Sequence, residues 1–303
     1  MEKNMSAVKG RIIALIMLLF IVVWTAEFTF SFTQGPNNRN VTVDTRVNIT
    51  GSPPVIQGVL VQNPITLGAG SLTIITCNAS LRDYNGGNDV HTVNATLFIS
   101  PSTIGSAPDN NTRYVNSSCT QTVTSGIYSN YTCTFPLNYY AVNGTWNCTV
   151  FANDSINLRS NLSNLTNVSA LFALNVTTLI DYGEMNTGDY SANKTANVSN
   201  LGNTPINLSV EGYGRNISDG LSFVCENGNL TADLQHFAIN NTADYFTKQA
   251  LSGSRQTVRG LTIPKAINGS GVLNTTWWEL YIDPSQVAAG GCNGSIIFQA
   301  ETV

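Results

Sequence analysis

Short stretches of alternating apolar and polar residues, separated by Gly, Asn, Asp and Pro, follow one another from Pro53 to the end of the chain. The segments SLTIITCNASL, SNYTCTF and GTWNCTV show this period of two most clearly. In each of them a cysteine shares one face with apolar residues, while the opposite face is polar. The pattern predicts an all-β fold made of sandwiches of short strands.

Many of the polar positions hold the asparagine of an N-glycosylation sequon. The sequence has 37 Asn, and 24 of them have Ser or Thr two residues later with no Pro between. With 60 Ser and Thr among 303 residues, chance would give roughly 7 such triplets, 37 × 60/303. Because strand alternation turns them away from core-facing neighbours, Asn78, Asn130, Asn147 and Asn207 are predicted to point outward and carry glycans.

The N-terminal segment predicts export. Three basic residues precede an apolar run at residues 12–24, which orients the rest of the chain across the membrane. A run of this length fits a signal peptide, and its extension to Phe32 is long enough to span a bilayer. Residues 1–33 are therefore either a cleaved signal peptide or a membrane anchor. Lys9-Gly10 also resembles a prepilin cleavage site, although Arg11 directly after it weakens that interpretation.

Composition narrows the class of protein further. Charged residues make up only 11% of the chain and the net charge is −4, which excludes a basic surface for nucleic acid. Residues 34–52 are polar and rich in turn formers, as in a linker. The remaining length suits two domains, at residues 53–168 and 169–303. Six cysteines in an exported chain indicate three disulfides.

Two groups of segments carry a family resemblance. AVNGTWNC resembles the F-strand corner of an immunoglobulin-like domain, with Trp146 in place of the usual Tyr two residues before the cysteine. The stretches TCNASLRDYNGGNDV, NLGNTPINL, WWELYI and GCNGSIIFQA are similar to uncharacterised secreted archaeal proteins with tandem immunoglobulin-like β-sandwiches. The resemblance covers roughly residues 53–303. It implies a fold and a surface location, and it brings no catalytic residues.

The resemblance also implies a disulfide pattern. Cys77–Cys148 would be the bridge between the two sheets of the first sandwich, and Cys119–Cys133 would join neighbouring strands. The four cysteines allow three connectivities, so this choice depends on the resemblance. Cys225–Cys292 is then the pair of the second half. One feature departs from the family, because VNATLFI stands where strand C usually has a Trp.

Candidate chemistry is sparse, and neither a catalytic residue nor a cofactor is predicted. His91 and His236 lie in opposite halves without a nucleophile-elbow pattern, so solvated or packed histidines are expected rather than a catalytic triad. The loop 83–89, DYNGGND, places oxygen ligands near alternate positions, as a calcium loop does. An Asx-turn loop between strands is the favoured interpretation, so no metal is predicted.

A pair of tryptophans raises the question of a sugar-binding platform. Trp277 and Trp278 point to opposite faces of a strand, and Tyr281 shares the face of Trp277. We therefore expect Trp278 to pack in the core.

These features favour a non-enzymatic, heavily glycosylated cell-surface protein with a structural, coat or adhesive role. Its expected contacts are with the membrane through the N-terminal segment, and with other surface proteins or glycans. A pilin-like filament subunit cleaved after Gly10 is one alternative. An exported hydrolase or carbohydrate-binding module is another.

Overall fold

A computed structural model describes residues 42–303, of which Thr50–Val303 form one compact unit. This unit contains 18 β-strands, and its helices are two single 3-10 turns, Ala232–Leu234 and Tyr245–Thr247. The expectation of an all-β fold is confirmed. No helix within residues 42–303 is long and apolar enough to cross a membrane. The predicted signal or anchor segment, residues 1–33, lies outside the described residues, as does the cleavage site at Gly10.

Eight strands build a first sandwich from two antiparallel four-stranded sheets, ordered β1-β2-β6-β5 and β4-β3-β7-β8. Their inward faces share one core that includes Leu97, Phe135 and Trp146. The strands are β1 (Val55–Val61), β2 (Leu72–Arg82), β3 (Val90–Ile99), β4 (Arg113–Asn116), β5 (Thr120–Ser125), β6 (Tyr128–Asn138), β7 (Gly144–Asp154) and β8 (Arg159–Val168).

Disulfides join strands within and between these sheets. Cys77 of β2 and Cys148 of β7 are both fully buried, and their disulfide joins the two sheets across the core. A second disulfide links Cys119, directly before β5, to Cys133 in β6. Together with Cys225–Cys292 in the second half, these are the pairs that the sequence analysis implied.

Trp146 forms the corner where the chain enters β7. Its side chain is fully buried, and its Nε1–H donates a hydrogen bond to the carbonyl oxygen of Val142 at 2.8 Å. In immunoglobulin domains a tyrosine hydroxyl makes the equivalent bond to the backbone a few residues upstream. In the segment VNATLFI, for which the resemblance implies a tryptophan, Leu97 is buried and lies directly opposite Cys148 in the pairing of β3 with β7.

The second half forms a five-stranded sheet, β14-β13-β16-β10-β9, which faces a three-stranded sheet, β15-β11-β18; a ribbon of β12 and β17 extends from them. Trp278 and Phe298 make an edge contact across this core, with ring centroids 5.8 Å apart. The strands are β9 (Leu174–Val176), β10 (Lys194–Asn200), β11 (Ile206–Tyr213), β12 (Leu221–Thr231), β13 (Gln235–Ala238), β14 (Gln249–Ala250), β15 (Gln256–Ile263), β16 (Val272–Leu280), β17 (Ala288–Asn293) and β18 (Ser295–Thr302).

The two halves touch through polar groups as well as apolar ones. Lys265 of the second half reaches into the first, where its Nζ donates to Asn111 Oδ1 at 2.5 Å and to the Tyr140 carbonyl at 3.0 Å. Among the strands described here, none is shared between the sheets of residues 53–168 and those of residues 169–303. Independent folding of these two parts as domains stays a prediction.

Replacing Trp146 by Phe should lower the free energy of unfolding by about 3 kcal/mol. The change removes the Nε1–H···O bond and leaves space in a fully packed core. Trp277→Phe is the matched control, because Trp277 is half-buried on the other face of its strand and should lose less than about 1 kcal/mol. Denaturant unfolding followed by circular dichroism, with the disulfides intact, measures both. Equal losses would contradict the corner role of Trp146.

Candidate functional site

The four predicted glycosylation sites lie on strands whose adjacent residues are in the core. Asn78 in β2 and Asn130 in β6 are exposed. Asn147 in β7 and Asn207 in β11 are only half-exposed. The reason at Asn147 is its central strand, because the cross-strand partners Phe98 and Leu165 flank it on both sides. The sites therefore differ in the room that they leave for a glycan.

The same orientation holds for the other sequons. Of the 24 sequon asparagines, Asn4 and Asn40 lie outside the described residues, and none of the other 22 is buried. Sixteen are exposed: Asn48, Asn78, Asn110, Asn130, Asn143, Asn161, Asn164, Asn167, Asn175, Asn193, Asn197, Asn216, Asn229, Asn240, Asn268 and Asn293. Six are half-buried: Asn94, Asn116, Asn147, Asn153, Asn207 and Asn274.

Two asparagines are buried in residues 42–303, and neither belongs to a sequon. Asn200 donates through Nδ2 to the carbonyl of Thr204 at 2.9 Å, and its Oδ1 accepts from the backbone of Gly202. Asn203 accepts from the Leu171 N–H at 2.7 Å and donates to the Ser169 carbonyl at 3.0 Å. These two amides hold loops together. The sequon asparagines are at least partly exposed as residues, although the Asn147 Oδ1 and the Asn274 Nδ2 atoms are buried.

The histidines do not come together. His91 is exposed in β3, while His236 is half-buried in β13. The His236 ring stacks on Tyr245 at 4.0 Å, and its two nitrogens lie 2.8 and 2.9 Å from the carbonyl oxygens of Tyr245 and Asp233. Neither nitrogen is therefore directed at a serine, as a catalytic triad would require.

The loop that joins β2 to β3 consists of two consecutive turns. Gly86 lies at φ +125°, and its N–H donates to the Asp83 carbonyl at 3.1 Å. A Cβ on Gly87 would come within 2.5 Å of the Tyr128 carbonyl oxygen, so only glycine fits there. The Asn85 Oδ1 accepts from the backbone N–H of Ser52 at 2.8 Å. This asparagine ties down the start of the compact unit.

Three carboxylates meet beside this loop. Oxygens of Asp83, Asp89 and Asp154 all lie within 4.8 Å of one another. Asp83 is 0% exposed and Asp154 is 1% exposed, while Asp89 is half-buried. Burial raises the pKa of the Asp83 carboxyl; the Asn85 N–H lowers it, and the charges of Asp89 and Asp154 raise it further. We refer to these three residues as the acidic cluster.

Strand geometry explains how two of these acids become buried. Asp83 follows Cys77 by six residues, and Asp154 follows Cys148 by six residues. An even offset places Asp154 on the inward face of β7 and turns Asp83, directly after β2, to the same side, with equal spacing from the bridge that joins β2 to β7. The sequence pattern pointed only to the loop 83–89, so Asp154 was not predicted. The equal spacing from the bridged cysteines was the available signal.

Four aromatic rings form a second feature, the aromatic cluster of Tyr190, Tyr245, Phe246 and Tyr281. Tyr190 stacks on Tyr281 with centroids 4.5 Å apart and meets Tyr245 edge-on at 4.9 Å. Phe246 is 76% exposed and Tyr190 is 45% exposed, so part of the cluster faces solvent. Trp278 is fully buried, as predicted, and Trp277 is half-buried.

A buried ion pair lies close to the aromatic cluster in sequence. The Lys248 Nζ contacts Glu279 Oε2 at 2.5 Å and also donates to Asn193 Oδ1. The lysine side chain is fully buried and the glutamate side chain nearly so. Within the described range, this is the one salt bridge between a basic and an acidic side chain. The acidic cluster therefore has no such partner there.

No protein-family model matches the sequence, and no curated protein matches it. Three solved structures show distant similarity in fold. The latent PorU of Porphyromonas gingivalis has 12% identity and a TM-score of 0.27, over 82% of this chain; the chain spans about a fifth, 20%, of PorU. The CsuC–CsuE chaperone–tip adhesion subunit complex of Acinetobacter baumannii has 12% identity and a TM-score of 0.35, over 80% of this chain and 100% of the other. A partial N-terminal region of enterococcal surface protein has 8% identity and a TM-score of 0.21, over 86% and 93%. Similarities this low carry no functional conclusion.

Substituting Lys248 by Met should destabilise the protein by about 3 kcal/mol, because the largely buried Glu279 carboxylate would lose its countercharge. The double variant Lys248→Met with Glu279→Gln removes both charges and should recover most of that loss. Denaturant unfolding at neutral pH measures the two. If the single and double variants lose the same free energy of unfolding, the charges of Lys248 and Glu279 are not coupled in this way.

Proposed function

We propose that the protein is an N-glycosylated cell-surface glycoprotein with a structural or adhesive role and no catalytic activity. The observation that carries this proposal is the placement of its asparagines. All 22 sequon asparagines of the described residues lie outside the core, and the two buried ones are outside sequons. A close-packed core cannot hold a glycan, so a chain selected to carry many glycans must keep most acceptors accessible. Asn274 is an exception, because its Nδ2 is buried.

The disulfides support an extracellular location. Each of the six cysteines is paired in one of three bridges. Disulfides persist in oxidising compartments and are rare in the cytosol. We place the two sandwiches outside the cell as tandem immunoglobulin-like domains, held to the membrane by residues 1–33 or secreted. The archaeal group of the resemblance stays a prediction.

Dense glycosylation also favours a role that needs little bare surface. With charged residues at 11% of the chain, hydroxyls, amides and attached sugars must supply most of the solubility. Enzymes require an accessible concave face for their substrate, and glycans spread over both sandwiches would obstruct such a face. A coat or spacer needs only a stable, hydrated surface.

Site-resolved mass spectrometry of the protein from its own cells should find glycans at Asn78 and Asn130, whose side chains are exposed. The buried, non-sequon Asn200 and Asn203 are internal controls: these two side chains should be unmodified, even in a peptide that carries a glycan at the neighbouring Asn197 or Asn207. Intact cells treated with a membrane-impermeant label should yield labelled protein. An unglycosylated chain, or one that is labelled only after lysis, would contradict the proposal.

N-terminal sequencing of the same preparation separates the forms of attachment. A mature chain that begins at Arg11 would favour the pilin-like filament, and an intact Met1 would favour a membrane anchor. A start near Glu27 would indicate secretion after signal-peptide cleavage.

The aromatic cluster favours adhesion to carbohydrate over a purely passive coat. Exposed aromatic rings provide flat apolar faces that complement the apolar faces of sugar rings. Phe246 adds the most exposed ring of the four, and its neighbour Tyr245 is anchored by a hydrogen bond from its hydroxyl to the Leu234 carbonyl. A rigid aromatic base with one projecting ring is suited to such a contact.

Replacing Phe246 by Ala should weaken binding of the full-length chain to a glycan array at least about tenfold, because the projecting ring supplies much of the apolar contact. The matched control is Ile267→Ala, which also truncates an exposed apolar side chain, 71% exposed, elsewhere in the same half. Thermal stability should change little in either variant. Equal binding by both variants would remove the aromatic cluster from the adhesive role.

A further inference from the structure

The acidic cluster contains carboxylate oxygens without a partner. Oδ1 of Asp83 accepts from the Asn85 N–H at 2.8 Å, and Oδ1 of Asp154 accepts from the backbone of Ile156 and Leu158 at 3.0 and 2.7 Å. The second oxygen, Oδ2, of each of these buried aspartates has no hydrogen-bond partner. One carboxylate oxygen of each of Asp83, Asp89 and Asp154 lies within 4.8 Å of the corresponding oxygens of the other two. The unpartnered oxygens of the two buried aspartates therefore belong to side chains that meet in one place.

Buried negative charge of this kind requires compensation. An isolated ionised carboxylate away from water is strongly unfavourable unless it is paired or bound to a metal. Arg82, the nearest basic residue in sequence, stacks over the ring of Tyr84 at 4.7 Å and makes no ion pair with the cluster. Asp89 accepts a hydrogen bond from the Ser155 hydroxyl, but this bond is neutral and adds no positive charge.

We propose that the acidic cluster binds a Ca²⁺ ion. The donors are all oxygens, which suits a hard cation and not zinc, which prefers nitrogen and sulfur. Two oxygens as far as 4.8 Å apart can both lie about 2.4 Å from one ion, a normal Ca²⁺–O distance. Mg²⁺ needs about 2.1 Å and a rigid octahedron, which a site assembled from two separate segments suits less well.

The site lies where the compact unit begins. Ser52 donates its N–H to Asn85 in the loop before Asp89, and a Cβ on Gly51 would meet the Ile156 side chain at 2.2 Å. Ile156 follows Asp154 in the next loop. An ion that joins these two loops would therefore also hold the segment that enters between them. Ca²⁺ would then control the stiffness of this end of the sandwich.

Calcium should stabilise the full-length chain, purified in mild detergent. Relative to EDTA, about 5 mM CaCl₂ should raise its Tm by about 4 °C, for a dissociation constant typical of extracellular calcium modules. Asp154→Asn should lose this shift and weaken calcium binding at least about tenfold by titration calorimetry. Its Tm in EDTA should rise above that of the wild type, because the change removes a buried charge while keeping the Oδ1 hydrogen bonds. If Asp154 had a purely structural role, the Tm of Asp154→Asn in EDTA would instead fall below that of the wild type.

Asp89→Asn changes the half-buried position and provides a second variant if the change at Asp154 prevents folding. This variant should also bind calcium at least about tenfold more weakly. The matched control is Asp233→Asn, an exposed aspartate of the second half, which should keep the full calcium shift. No shift in the wild type, or an equal shift in all variants, would overturn the proposal. A Mg²⁺ shift as large as that of Ca²⁺ would overturn the choice of ion. Glycan mapping is independent of these results, so failure here leaves the glycoprotein proposal untouched.

Discussion

The disulfide between Cys77 and Cys148 fixes two strands of opposite sheets at the same level, and the structure of the first sandwich depends on this constraint. From that level, the period of two along each strand decides which side chains face the core. Residues at odd offsets from the cysteines, such as Asn78 and Asn147, are turned outward. Residues at even offsets are turned inward, whether they are apolar like Val150 or acidic like Asp154. Core, glycan acceptors and acidic cluster therefore follow from one geometric rule.

This rule explains why much of the first sandwich could be predicted from sequence. Alternation in short segments identified β2, β6 and β7, and the corner role of Trp146 followed from its position two residues before a cysteine. The exposure of Asn147 was less predictable, because it depends on the bulk of Phe98 and Leu165 on neighbouring strands. The sequence of a single strand does not indicate which residues of other strands lie beside it in the sheet.

Both candidate sites combine residues that are distant in sequence, and this is why sequence patterns alone did not find them. Asp154 is 65 residues from Asp89, and 91 residues separate Tyr190 from Tyr281. The latter pair meets because an isolated bridge places the two tyrosines opposite each other. The loop 83–89 was recognised as rich in oxygen ligands, but a loop with two carboxylates is ambiguous. The third carboxylate, brought by β7, changes the chemistry of the site.

The acidic cluster differs from the charge distribution of the rest of the chain in a way that bears on function. The chain avoids charge, with 18 acidic residues among 303, and exposes amides and hydroxyls instead. Two of those acids nevertheless occupy inward positions at the end of a core, where an apolar residue would stabilise the fold more simply. Buried carboxylates at these positions destabilise the fold unless they bind a ligand, and that ligand would have to be plentiful outside the cell. Under the two proposals made above, glycans would keep the faces of the sandwich hydrated and a cation would close one end. The sandwich would then hold its shape without the ionic surface that most soluble proteins use.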